Sequence, residues 1–205
     1  MARSSYHHGD LRRALFDALA DAVLEVGPAA ISLRDLARRA GVSHAAPAHH
    51  FSDKRGLLTA FAVEGYDQLD RALTTAFASS GGDFTEVGVA YVHFALEHRA
   101  HFEVMFRPEL LRRDDPALLE ASRRSSMHLI AGTATAAAAA QSADGEAAMI
   151  GAWSLVHGLA TLLLGGNIPA EYGPPEALAR RVARVLGRAE EGRTPEIPLS
   201  RVSET

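Results

Sequence analysis

The spacing of apolar residues is the feature that most constrains the fold of this 205-residue chain. Apolar side chains recur every three or four positions through most of the sequence, as they do along one face of an α-helix. No segment has the pattern of a strand. Alanine supplies 39 residues, whereas Val, Ile, Thr, Tyr and Trp are sparse, and this balance favours helix. We therefore expect an all-α protein with about nine helices.

Composition and charge exclude several classes of protein. The chain contains no cysteine, which rules out disulfides, Cys-based zinc sites and thiol nucleophiles. Residues 1–10 lack the apolar core of a signal peptide, so a cytoplasmic location is expected. Residues 1–60 carry eight basic and six acidic side chains, whereas residues 61–205 carry 13 basic and 19 acidic ones. This asymmetry indicates an anionic partner for the N-terminal part alone.

Breaks and capping residues divide the N-terminal part of the chain into four helices. The first stops at Gly27-Pro28, and the second starts at Ser32, whose hydroxyl is a typical N-cap. Gly41 then provides a turn, Ser43 is a second candidate N-cap, and Asp53 caps a long helix. The predicted spans are 10–26, 32–40, 43–50 and 53–77.

The second and third of these helices have the dimensions of a helix-turn-helix. Ala37 is small where the two helices must cross, and Leu36, Val42 and Phe51 would form the apolar wedge between them. The third helix is otherwise polar or small, which suits insertion of its N-terminus into the major groove of DNA. Paired short helices also serve as ordinary scaffolding, so the dimensions alone leave both interpretations open.

Residues 32–58 carry a more specific pattern. Ala-Gly-Val-Ser opens the third helix, His-His-Phe closes it, and Ser-Asp-Lys starts the next one. This pattern resembles the DNA-binding domain of the TetR (tetracycline-repressor-like) transcriptional regulators. The chain length, the order of the first four helices and the all-helical remainder agree with that family. In the C-terminal half, Trp153, His157 and Gly158 resemble the Trp-His-Gly pattern of one subgroup.

The resemblance implies a division of the chain into functional parts. Residues 1–53 would form a helix-turn-helix DNA-binding domain whose arm, residues 1–9, lies along the DNA backbone or in a minor groove. Residues 54–189 would form a helical domain for effector binding and dimerisation. Residues 190–205 contain two prolines without periodicity, and we expect a flexible tail there.

The resemblance also implies which residues contact DNA. Three groups are expected: contacts from the start of the second helix, contacts to base edges and contacts to phosphates. They are, in that order, Ser32 and Arg34; His44, Ala45, Ala46 and His49; and Ser43, His50 and Lys54. The chain departs from the family pattern at Ala48, where the family usually has a tyrosine whose hydroxyl contacts a phosphate.

Residues 147–168 contain no charged side chain, which satisfies the length rule for a membrane span. The stretch includes Ser154, His157 and Thr161 and follows a DNA-binding segment, so a buried helix is the better interpretation. A helix that is apolar on all sides in a soluble protein must be covered on every side.

The last helix offers a matching apolar stripe, formed by Leu178, Val182, Val185 and Leu186. We expect helices 146–164 and 175–189 to form a homodimer interface, as is usual in the family, and the dimer to bind a palindromic operator in double-stranded DNA.

Bulky residues are concentrated in the middle helices of a chain that is only 6% aromatic. The set is Tyr91, Phe94, Phe102, Met105, Phe106, Met127, Trp153 and His157. These residues either pack an ordinary core or line the ligand cavity that the family has among these helices. Because few polar groups accompany them, the expected effector is small and mostly apolar or aromatic.

No cofactor or metal is expected beside that effector. His93, Glu97 and His101 would line one row of an unbroken helix, which is a plausible metal face. The resemblance to the family places a break near Arg99, and a break there scatters the row.

Three classes of function remain to be compared. The leading interpretation is a ligand-released transcriptional repressor that is not an enzyme. The second is a small all-helical enzyme that uses His157 or His98 as an acid–base, although no nucleophile–base spacing, phosphate loop or pair of carboxylates supports it. The third is a structural adaptor, which leaves the small, His-rich third helix unexplained.

Overall fold

The computed structural model describes residues 8–140 and 145–190, with side chains described for 11–128 and 146–185. Within these ranges the chain is all-α, as predicted, with nine α-helices and two short 3-10 turns at Pro108–Leu110 and Ala170–Tyr172. The helices are α1 His8–Val26, α2 Leu33–Arg39, α3 Ala46–Phe51, α4 Lys54–Ser79, α5 Phe84–Glu97, α6 Arg99–Met105, α7 Pro116–Ala140, α8 Gly145–Leu164 and α9 Pro175–Glu190.

Two of the three predicted N-caps are present. The Ser32 hydroxyl accepts a hydrogen bond from the Asp35 amide at 3.1 Å, and the Asp53 carboxylate accepts one from the Gly56 amide at 2.7 Å. The prediction for Ser43 is wrong. Helix α3 begins only at Ala46, its N-cap is Ala45, and no side chain caps it. A turn closed by the Ala46 amide and the Ser43 carbonyl precedes the helix, and Pro47, which has no amide proton to cap, occupies its first turn.

The wedge between α2 and α3 forms as predicted. Leu36 and Phe51 are buried, and Val42 packs half-buried against them. Gly41 adopts a φ of 66°, which a residue with a side chain rarely does. The Phe51 ring also stacks on Phe16 of α1, with centroids 5.8 Å apart. These contacts fix the orientation of α3 against the first helix.

A strained turn joins α3 to α4. Ser52 has a φ of 70° and a ψ of −54°, and the Asp53 amide donates to the Phe51 carbonyl at 2.9 Å. This is a γ-turn with positive φ, a rare conformation that costs about 1–3 kcal/mol. Gly56 allows it, because a Cβ at position 56 would overlap the Phe51 carbonyl oxygen and lie 3.1 Å from the guanidinium of Arg112.

Helix α4 is the centre of the rest of the molecule. It packs against α5, α6 and α7, while α5 packs in turn against α8 and α9. Helix α6 lies between α4 and α1, and its approach to α4 is close because Gly65 has no side chain: a Cβ there would overlap the Met105 sulfur. The buried side chains form one continuous cluster from α1 to α9, and residues of α6 are part of it.

The helix break near Arg99 scatters the His93–Glu97–His101 row, as expected. Helix α5 ends at Glu97, and His98 is both its C-cap and the N-cap of α6. Nδ1 of the exposed His93 lies 3.1 Å from the Glu97 carboxylate, whereas His101 stacks on Phe61 of α4 with centroids 3.9 Å apart. Among the residues described, no group of three His, Cys, Asp or Glu side chains could hold a metal.

Candidate DNA-binding face and ligand cavity

Helix α3 and the turn before it present a polar, small-residue face to solvent. Pro47 and Phe51 point inward and are buried. The exposed residues of this stretch are Ser43, His44, Ala45, Ala48, His49 and His50, with Ala46 half-buried. Ser32 and Arg34, at the start of α2, are exposed as well. The structure therefore leaves on the surface nearly every residue that the sequence assigns to DNA contact.

Positive charge around this face is partly engaged within the protein. Arg38 and Arg39 both pair with Asp35 at 2.7 Å, and Arg39 also pairs with Glu25. The Lys54 ammonium donates to the Ala29 carbonyl at 2.6 Å, and burial lowers its pKa. An ammonium has three donors, so this bond leaves Lys54 able to contact a phosphate. Residues 1–7 of the expected arm lie outside the described residues.

A cavity of about 260 Å³ lies between the middle helices. Helices α4, α5, α7 and α8 supply its walls, with Phe106 from the end of α6. Its lining residues are Tyr66, Leu69, Leu73, Tyr91, Phe106, Ser122, Ser125, Ser126, Met149, Ile150 and Trp153. No charged side chain is among them. The site suits an uncharged ligand of the size of one or two rings.

A chain of hydrogen bonds connects three aromatic side chains at one side of the cavity. The Trp153 indole donates to the Tyr91 hydroxyl at 3.2 Å, and that hydroxyl lies 2.9 Å from Nδ1 of His157. Burial lowers the pKa of His157 and raises that of Tyr91, so both are neutral near pH 7. A hydroxyl has two lone pairs, so the tautomer of His157 decides which of the two groups donates in this bond.

Comparison with known proteins identifies the family. Residues 84–186 match the family described as "Tetracyclin repressor-like, C-terminal domain". Residues 15–68 match "Bacterial regulatory proteins, tetR family". The chain belongs to the TetR family. This TetR-family chain is therefore a DNA-binding transcriptional regulator with a helix-turn-helix, as predicted; the finer Trp-His-Gly subgroup stays a prediction.

Individual relatives agree with this assignment. The HTH-type transcriptional regulator BetI of Klebsiella pneumoniae is 51% identical over 49 residues, which cover 24% of this chain and 25% of BetI. A Rhodococcus protein of unknown function is 32% identical with a TM-score of 0.75, covering 91% of this chain and 98% of that one. The TetR family regulator PfmR of Thermus thermophilus shares the fold at 22% identity, with a TM-score of 0.67 over 86% of this chain and 97% of PfmR. The match to the curated BetI proteins thus spans about a quarter of their length.

Three of the eight residues proposed for the ligand site of this TetR-family protein line the cavity, namely Tyr91, Phe106 and Trp153. Phe94, Phe102 and Met105 are buried in the core. His157 lies behind the lining, against Phe102 and Phe106. Met127 is 46% exposed and does not line the cavity.

The polar side of the cavity was not anticipated from the sequence. Ser122, Ser125 and Ser126 stand three and four positions apart on α7 and therefore share one face. That spacing within an Ala-rich helix was the available signal. Tyr66 and Leu69 of α4 complete the wall opposite, and their part in it depends on how α4 packs against α7.

Helix α8 leaves an apolar surface uncovered. Its segment Glu146–Leu164 is long and apolar enough to cross a membrane, and 22% of its most apolar window is buried within the chain. Leu162 is 47% exposed, and it borders a groove of about 510 Å³ between α8 and α9. Leu178 and Val182 of the predicted α9 stripe line the same groove, Val185 is exposed, and the Leu186 side chain lies outside the described residues.

Proposed function

We propose that this TetR-family regulator is a cytoplasmic homodimer that binds a palindromic operator and is released from it by a small ligand. In this proposal residues 1–53 bind DNA, residues 54–189 bind the effector and dimerise, and the chain catalyses no reaction. The proposal is carried by the exposed face of α3 together with an uncharged cavity in the other helices. The cavity residue Phe106 directly follows α6, and α6 contacts α1.

The α3 face supports sequence reading in a major groove. His44, Ala45 and Ala46 lie at the start of the helix, where small residues permit close approach to base edges, and His49 follows about one turn later. Ser43, His50 and Lys54 would hold phosphates on either side, and Ser32 and Arg34 would contact the DNA from α2. Phosphate contacts position the protein, and base contacts give it sequence preference.

The uncovered surface of α8 and α9 supports dimerisation through helices 146–164 and 175–189. A second copy is the occupant that fits best, because both helices of the pair expose apolar residues and one short recognition helix reads few base pairs. A dimer places two α3 helices on half-sites about 34–36 Å apart.

Helix α6 supports the coupling of the cavity to the DNA-binding part. Its C-terminal neighbour Phe106 lines the cavity, and α6 contacts α1. A ligand that displaces Phe106 would shift α6 and with it the spacing of the two α3 helices. The ligand lowers operator affinity only by as much as it prefers the spacing unsuited to DNA.

The enzyme alternative has less support. The Nδ1 atom of His157 is bonded to the Tyr91 hydroxyl, and the His98 ring stacks on Phe94 with centroids 4.9 Å apart. Burial raises the pKa of the Tyr91 hydroxyl, which opposes its deprotonation, and the Phe94 ring offers the His98 imidazole no group to activate.

Operator selection from random duplexes, followed by binding titrations at several salt concentrations, tests the proposal. Lys54→Ala should weaken binding to all sequences alike and reduce the salt slope by about one per subunit. The matched control is Arg123→Ala, an exposed arginine on α7 paired with Glu120. His44→Ala should change the preferred sequence, with exposed His93→Ala as its control. If both variants bind every duplex as the wild type does, the assigned face is wrong.

A further inference from the structure

We infer that the effector is an uncharged aromatic molecule whose polar group donates a hydrogen bond, as a phenol does. This inference rests on the proposed function, which makes the cavity among α4, α5, α7 and α8 the effector site. The chemistry of the lining side chains supports it in three steps: charge, hydrogen-bond polarity and ring contacts.

Charge is the first restriction. None of the described residues that line the cavity is ionised. The acids beside the lining residue Leu69 are already engaged, Asp67 with Arg124 at 2.6 Å and Asp70 with His128 at 3.0 Å. A charged effector would be buried without an opposite charge, which is costly. The lining therefore selects an uncharged ligand.

Hydrogen-bond polarity is the second restriction, and the serines of α7 show it. The hydroxyls of Ser125 and Ser126 both donate to the Ser122 carbonyl, each at 2.9 Å. The Tyr66 hydroxyl donates to the Met105 carbonyl at 3.1 Å. A hydroxyl has one proton and two lone pairs. Because their protons are engaged, these hydroxyl groups can only accept hydrogen bonds from a ligand in the cavity.

The aromatic side of the cavity has the same polarity. Trp153 uses its only donor on Tyr91, and the Tyr91 hydroxyl forms a hydrogen bond of 2.9 Å with Nδ1 of His157. Burial raises the pKa of Tyr66 and of Tyr91, so neither becomes a phenolate. Tyr66, Ser125, Ser126 and Trp153 thus have their protons engaged within the protein, so a ligand group that only accepts hydrogen bonds finds few donors in the lining.

Ring contacts and size complete the inference. Tyr66, Tyr91, Phe106 and Trp153 all border the cavity, and aromatic faces and edges favour an aromatic guest. A dry cavity of about 150 Å³ holds benzene, so about 260 Å³ accommodates a substituted ring. An aromatic ring with one O–H group matches both the apolar walls and the serine acceptors.

A matched set of ligands tests the inference on the full-length protein. The set is 4-methylphenol, its methyl ether 4-methylanisole, the anion 4-methylbenzoate and the cation 4-methylbenzylammonium. Binding is measured by calorimetry and by the fluorescence of Trp153, which is the only tryptophan in the chain. Neither readout involves DNA, so ligand binding is separated from operator release.

We expect 4-methylphenol to bind roughly tenfold more tightly than 4-methylanisole, because the ether cannot donate to the serines. Ser126→Ala should reduce that preference about threefold or more. The control is Thr75→Val on α4, whose hydroxyl also donates to a carbonyl four residues earlier but lies outside this cavity. This variant should bind both ligands as the wild type does.

Four results would overturn the inference: the ether binding as tightly as the phenol, either ion binding most tightly, no detectable binding of the phenol at millimolar concentration, or an unchanged phenol preference in Ser126→Ala. Failure of the proposed function is distinguishable from these. If the phenol binds with the expected preference and the selected operator is not released, the ligand chemistry stands and ligand-controlled release is wrong.

Discussion

Acid should loosen the junction at which α6 meets α4 and α1, and His101 is the residue that makes it acid-sensitive. The imidazole of His101 stacks on Phe61, with centroids 3.9 Å apart and rings 15° from parallel. Burial, aided by His98 nearby, lowers the pKa of His101 to about 4. Its Nε2 is buried without a hydrogen bond. The Glu64 carboxylate at 3.4 Å is a weak counterion, because burial raises its own pKa.

The sign and size of the effect follow from proton linkage. The folded pKa of about 4 lies below the ordinary value of 6.5, so the unfolded chain binds the proton first as the pH falls. Stability is complete above about pH 6.5 and is lost between there and about pH 4. Between about pH 7 and about pH 5, His101 alone should lower the free energy of unfolding by about 2 kcal/mol.

Urea unfolding, followed by circular dichroism at the two pH values, measures this loss of unfolding free energy. All samples have the same protein concentration, because the stability of a dimer depends on concentration. His101→Phe keeps a ring against Phe61 and removes the titrating group. The loss of unfolding free energy between the two pH values should therefore be smaller in this variant than in the wild type by about 2 kcal/mol. His93→Phe, on the exposed surface of α5, should retain the wild-type loss. An equal loss in His101→Phe, or an NMR titration that places the His101 pKa near its ordinary value, would refute the reasoning.

Three further predictions concern the DNA-binding and dimer surfaces. Gly56→Ala should open the α3–α4 turn and lower operator affinity about tenfold or more, because it displaces base contacts that are worth about 1–3 kcal/mol each. Phenol binding should be unchanged, and wild-type operator affinity in a titration would contradict the prediction. Ala48→Tyr should raise operator affinity by up to about a hundredfold at fixed salt, because each subunit gains one phosphate hydrogen bond of roughly 0.5–1.5 kcal/mol. The sequence preference should not change. Leu162→Glu should yield a 21.8 kDa monomer by light scattering. The control Leu119→Glu, which changes an exposed residue of α7, should remain a dimer. A dimeric Leu162→Glu variant would exclude the α8 interface.

The local sequence determined the helices and the apolar wedge of this regulator. Periodicity, glycine breaks and the Ser32 and Asp53 caps are properties of a few neighbouring residues, so helix positions follow from them directly. The start of α3 was misplaced at Ser43, because a serine before a helix caps it only if the intervening residues are helical. Here Ser43 to Ala45 form a turn instead.

Tertiary structure alone decided the lining of the cavity and the junctions around α3 and α6. Tyr66 and Ser122 are 56 positions apart in the sequence and become neighbours only because α4 packs against α7. Likewise, nothing near Gly56 or Gly65 in the sequence indicates that the Phe51 carbonyl or the Met105 sulfur would lie where their Cβ atoms would be. Burial and close approach depend on the whole packed molecule, which is why aromatic residues that the sequence groups together divide between cavity lining and core.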